Sequence, residues 1–171
     1  DEMSSRGLGD VYKRQDKVAL DGDFAMTVSS GTATVDQANT MAAFSTSGAI
    51  TATISNTDIA ELDDLTTGSA DQLTITVAST SATAAQLKTV GDATGLNVTA
   101  TAVQGISNSS VAQVIALLTD EGGSGDKVNL DGDFTVAIND TGTVAASDLN
   151  TINAATTGLV TATACLLYTS D

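Results

Sequence analysis

Histidine and tryptophan are absent from this chain, and cysteine occurs once, at position 165. Without histidine, Ser-His-Asp and Cys-His catalysis lack their base, and the usual zinc arrangements lack their imidazoles. One cysteine cannot close an internal disulfide, so a stapled scaffold is excluded. Aromatic residues make up 3% of the chain, so each layer must bury small side chains, little area at a time. Basic residues number 6 against 21 acidic ones, a net charge of −15, and a field of that sign repels nucleic acid and anionic lipid. No apolar run approaches the roughly 20 residues that a membrane helix needs, so neither nucleic acid nor membrane insertion is expected.

What is present is repetition. Residues 16–24, DKVALDGDF, return 110 positions later as DKVNLDGDF at 126–134. Self-similarity at a fixed offset marks a repeat architecture. A finer period lies inside it, with strand-like runs at 24–28, 50–54, 73–77, 96–103, 134–138 and 159–164. Counted from Phe24, Ala49, Leu73, Leu96, Phe134 and Leu159, the steps are 25, 24, 23, 38 and 25 residues. The two periods agree, because Phe24 and Ala49 moved by 110 give Phe134 and Leu159.

Within the runs, apolar and hydroxyl side chains alternate as on a strand with one buried face. Phe24, Met26, Val28, Ile50, Ala52, Ile54, Leu73, Ile75, Val77, Phe134, Val136 and Ile138 are the expected inner set. Thr27, Thr51, Thr53, Thr74, Thr76, Thr99, Thr101, Thr135, Thr161 and Thr163 are the outer set, where a β-branched hydroxyl residue favours extended backbone and stays hydrated. Between the runs the spacing changes to three or four, as at Ile59, Leu62 and Leu65 or at Leu87 and Val90. The clearest helix carries Val111, Val114, Ile115 and Leu118, with Ser110 and Gln113 spaced as a capping box. It stops before the Gly122-Gly-Ser-Gly125 loop.

The expected fold is therefore α/β: a solenoid of about 24-residue rungs, each a strand plus a short helix, with a parallel β-sheet whose strands lie about 4.8 Å apart. A mostly-β solenoid is the alternative. The rung geometry resembles that of leucine-rich-type solenoids in architecture alone, since the Leu and Asn ladder of that family is missing.

The ends differ from the middle. Residues 1–15, DEMSSRGLGDVYKRQ, and 165–171, CLLYTSD, hold both tyrosines, both arginines and the cysteine. VYKRQ and CLLYTS closely resemble translated read-through of a sequencing-library adaptor, as seen in reading frames from metagenomic fragments. On that resemblance, 1–15 and 165–171 are artefact. Residues 16–164 are then a single repeat-array domain, a fragment of a longer protein. That middle has three lysines, Lys17, Lys88 and Lys127, against 17 carboxylates.

Candidate chemistry is thin, and no catalytic, cofactor-binding or metal residue is assigned. Asp63-Asp64 is an acid pair on a predicted helix with no sugar-stacking aromatic near it in sequence, which reads as a solvated face. Asp21 and Asp23, and Asp131 and Asp133, flank glycines in the repeated turn and could offer calcium a few of its six to eight oxygens, although Asx-type turn formation is the better reading. Gly122-Gly-Ser-Gly-Asp126 resembles the opening of the haemolysin-type calcium nonapeptide, with the aspartate one residue early and only one copy. Thr51/Thr53, Thr74/Thr76, Thr99/Thr101 and Thr161/Thr163 would form a hydroxyl array if stacked in register, as in ice-binding solenoids.

The phrases at 141–151, TGTVAASDLNT, and 156–163, TTGLVTAT, resemble repeats of giant secreted or surface proteins of aquatic bacteria, adhesin-like chains of which some carry calcium repeats. That resemblance implies an extracellular or cell-surface location and a structural or adhesive role without catalysis or cofactor. The expected partners are neighbouring repeats of the same longer chain, with calcium or an extracellular glycan as further candidates. Calcium-stabilised adhesin repeats and an ice- or polysaccharide-binding face are the alternatives.

Overall fold

The computed structural model describes residues 22–45, 47–119 and 127–162, and the backbone of 166–168. The expected artefact ends, apart from that backbone, lie outside the described residues.

Every strand pair among them is parallel. In the first ladder β1 (Met26–Thr27), β2 (Ile50–Thr53) and β3 (Gln72–Thr74) lie side by side, with Met26 opposite Ile50 and Thr51 opposite Gln72. A parallel bridge from Thr76 to Thr99 leads on to β5 (Val98–Ala100), which pairs with β7 (Val128–Leu130). The second ladder runs from β4 (Ser81–Ala82) through β6 (Gly105–Ser109) and β8 (Thr135–Ile138) to β10 (Val160–Thr161). A third pair joins β9 (Thr143–Ala145) to β11 (Leu166–Tyr168). The helices are α1 (Val35–Phe44), α2 (Ile59–Leu62), α3 (Ala84–Asp92), α4 (Val111–Leu118) and α5 (Ala146–Ala155). The architecture is mixed α/β with parallel sheets, and the five helices set it apart from a mostly-β fold.

The 110-residue echo survives as register. Met26 opposite Ile50 and Thr27 opposite Thr51 return as Val136 opposite Val160 and Ala137 opposite Thr161. The one long step differs from expectation. The run at 134–138 stacks on Gly105, Ile106 and Ser109 rather than on the run that starts at Leu96, so residue 98 faces 128 and 105 faces 135, a step of 30 in both ladders. The physical cause is a tight turn at Thr101-Ala102, closed by the Val103 N–H on the Ala100 carbonyl at 3.0 Å, which ends one strand and starts another. Leu96 and Leu159, counted as strand starts, are exposed corner residues instead.

The alternation places the core as expected. Ile50, Ala52, Ile54, Leu73, Ile75, Val77, Phe134, Val136 and Ile138 are buried, while Thr27, Thr51, Thr53, Thr74, Thr76, Thr99, Thr101 and Thr135 are exposed. Phe24, Met26 and Val28 are half-buried. Helix starts are fixed chemically. Thr34/Gln37, Thr83/Gln86 and Ser110/Gln113 each form a reciprocal capping box, and Asp58 caps α2 through Ala60 N–H. Three boxes thus share the spacing that the sequence displays at Ser110.

Candidate functional site

Successive strand-and-helix segments, called rungs below, are tied to one another by polar side chains among the described residues. Five polar side chains are buried there: Ser45, Asp71, Thr94, Ser109 and Thr156. Each contacts main chain of an adjacent rung. Ser45 Oγ donates to the Phe24 carbonyl at 2.6 Å. Asp71 accepts from Ile50 N–H at 2.8 Å and, within its own corner, from Gly68 N–H at 2.9 Å. Thr94 Oγ1 accepts from Leu73 N–H at 2.9 Å, and its own proton faces the Leu73 and Asp71 carbonyls at 2.9 and 3.2 Å. Thr156 Oγ1 repeats the role of Ser45 by donating to the Phe134 carbonyl. Burying a polar group costs free energy unless it is hydrogen-bonded, and here the cost is offset by closing main-chain groups at the corners.

Glycine completes two of these corners. A Cβ at Gly48 would overlap the Phe24 carbonyl, and one at Gly158 would overlap those of Asp133 and Phe134. The two glycines stand 110 residues apart, as do Phe24 and Phe134, so the close approach belongs to the repeated unit.

A second set of ties closes helix N-termini from outside. The first N–H of α1 (Val35) donates to Asn56 Oδ1 at 3.0 Å, that of α2 (Ile59) to Ser79 Oγ at 2.9 Å, that of α3 (Ala84) to Ser109 Oγ at 2.8 Å and that of α4 (Val111) to Asp140 Oδ2 at 2.7 Å. Each acceptor belongs to the following rung. The orphan donors of one helix are thereby satisfied by the next rung as well as by its own cap.

The expected sites fall out differently. Asp131 and Asp133 are exposed, and Asp131 Oδ1 accepts from Gly132 N–H at 2.9 Å, the local turn bond of an aspartate before glycine. Asp23 is exposed; Asp21, the 122–125 loop and Asp126 lie outside the described residues. No group of three or more His, Cys, Asp or Glu side chains among the described residues could hold a metal ion. Asp63 and Asp64 are engaged by different segments. Asp63 accepts from Gln86 Nε2 of the next rung at 2.9 Å, while the Asp64 carbonyl accepts from Asn39 Nδ2 at 2.9 Å. Both are rung ties.

The threonine pairs do not stack pair on pair. Thr51 faces Gln72 and Thr53 faces Thr74, whereas Thr76 faces Thr99 and Thr99 faces Asn129. The register step is 21 residues and then 23, where the Thr-x-Thr phrases stand 23 and then 25 residues apart, so each pair lands two positions along from its neighbour and the hydroxyls form a staircase. Thr161 lies in the other ladder, its Oγ1 donating to the Val136 carbonyl at 3.3 Å, and Thr163 is outside the described residues.

Sequence reasoning missed the buried corner hydroxyls. A signal was available: Thr94-Gly95, Thr156-Thr-Gly158 and Ser45-Thr-Ser-Gly48 place a hydroxyl residue just before a glycine ahead of a strand. Compared with known proteins, the chain matches no family model, no curated protein and no solved structure.

Proposed function

We propose that this chain is a structural or adhesive repeat segment, a solenoid of stacked strand-plus-helix rungs that serves as a spacer or stalk in a large extracellular bacterial protein, with no catalytic role. The observation that carries this reading is where the buried polar chemistry goes: Ser45, Asp71, Thr94, Ser109 and Thr156 all bond main chain of an adjacent rung. A site that binds or transforms a ligand keeps some polar groups aimed into a cavity. Here they hold neighbour to neighbour, as quasi-one-dimensional stacking requires.

Excising residues 51–71, one register step between Thr51 and Gln72, tests it. A stacked array closes the gap by pairing β1 with β3 and stays folded, retaining strand and helix circular dichroism with a lower melting midpoint. Wholesale unfolding would sink the reading, because a single closed core cannot lose an internal slice. Melting in millimolar calcium and in chelator should give the same midpoint at matched ionic strength; a calcium-dependent midpoint would favour calcium-stabilised adhesin repeats instead.

A further inference from the structure

The two copies of the 110-residue echo are unequally covered. In the second copy Phe134, Val136, Ile138 and, on α5, Ile152 are buried. Their counterparts Phe24, Met26, Val28 and Met41 are only half-buried. Met41 corresponds to Ile152 because α1 starts at Val35 where α5 starts at Ala146, and Ser45 follows α1 as Thr156 follows α5. The two sets are alike in chemistry, so the difference lies in what packs on them. In the second copy that is β6, paired with β8, and α4, packed on α5. In the first copy the same face is a cavity of about 460 Å³ lined by Val28, Thr32, Asp36, Gln37, Thr40 and Met41. β8 lies between β6 and β10, whereas β1 has β2 as its one neighbour among the described residues.

We propose that this face is a docking surface for one further rung of the β6–α4 type: a strand that adds to the edge of β1 left unpaired among the described residues, followed by a helix whose apolar residues are spaced like Val111, Val114 and Leu117. The proposal rests on the array reading given above. The echo supplies the occupant, since the molecule itself shows which chemistry covers the equivalent face. It also supplies a seat. Ser30 stands 110 residues before Asp140, whose carboxylate accepts the first N–H of α4 at 2.7 Å, and Ser30 is exposed. Its hydroxyl takes the first N–H of the docked helix as Ser79 and Ser109 do for α2 and α3. Strand addition supplies main-chain hydrogen bonds, and the apolar stripe fills the Val28–Met41 cavity.

The test inserts a copy of residues 96–125 into the full chain directly before Asp16, so that Gly125 joins the DKV phrase as it joins Asp126 natively. Docking raises the melting midpoint by at least about 4 °C, given a response of roughly 2–4 °C per kcal/mol at this size. It also slows amide exchange in β1 at least tenfold. Met41→Glu then lowers the midpoint by less than about 2 °C in the parent chain and by about 6–10 °C in the extended one. Ser30→Ala, too mild to prevent folding, lowers it by about 2–4 °C in the extended chain alone. An extended chain that melts at the parent midpoint overturns the proposal. So does a parent chain in which Met41→Glu is equally costly, which would mean that the face is already covered by the chain's own first 21 residues or, if sedimentation shows a dimer, by a second copy. If the added rung fails to dock while the 51–71 excision still folds, the docking surface is wrong and the array reading stands.

Discussion

Thr94 carries the largest share of the corner chemistry of any single side chain described. It is fully buried, accepts from Leu73 and Leu96 N–H, and faces two carbonyls of the preceding rung. Thr94→Val keeps the shape and removes the hydroxyl, stranding a buried backbone N–H at a cost of about 1–3 kcal/mol. Urea titration should show a lower midpoint with an unchanged slope. Gly158→Ala should cost more than about 2 kcal/mol, since the new Cβ meets rigid backbone carbonyls, while Gly132→Ala, with open space around it, should cost no more than about 1 kcal/mol. Equal effects from the two glycines would contradict the close approach at the corner. The Lys88–Asp92 pair at 3.0 Å is a contrast: exposed and in the less favoured order along its helix, it contributes only a few tenths of a kcal/mol.

At the scale of elements, local signals and neighbour-supplied signals divide the work. The Ser110/Gln113 box is visible in sequence, and Thr34/Gln37 and Thr83/Gln86 follow the same rule. The acceptor for each helix's first N–H is not visible, because Asn56, Ser79, Ser109 and Asp140 lie 20 to 29 residues downstream of the donors they serve. Ser109→Ala should therefore destabilise a helix in which it does not reside. The expected outcome is a loss of about 1 kcal/mol and faster amide exchange at Ala84, in the first turn of α3, with the later turns of α4 unaffected. Exchange confined to the neighbourhood of residue 109 would count against the tie. α5 was not legible at all: Ala145 precedes it without a side-chain cap, and of its residues only Ile152 is buried.

For the whole molecule, charge and repetition set the behaviour. With a net charge of −15 and one ion pair among the described residues, the carboxylates of neighbouring segments repel one another. Raising sodium chloride from about 10 mM to about 300 mM, which shortens the screening length from about 30 Å to below 10 Å, should raise the melting midpoint by several degrees. A falling midpoint would mean that attractive pairs dominate. The threonine staircase belongs to this scale too. Hydroxyls at a two-residue stagger lack the two aligned columns that an ordered water lattice would match, so the outward face reads as strand propensity rather than as a template.

The sequence by itself determined the period-two burial of the strands, the parallel α/β class and the 110-residue unit. Each of these follows from residue type at short spacing, or from near-identity at a long one, and needs no knowledge of neighbours. The tertiary structure alone decided which strand faces which. It set a step of 30 where the sequence suggested 38, displaced the threonine pairs by two positions, turned Asp63 from a solvated-face residue into a tie between rungs, and gave Thr94 and Ser109 tying roles that the sequence did not display. The reason is that register depends on where loops turn and which main-chain groups are left needing a partner, and those needs are met by residues more than 20 positions away.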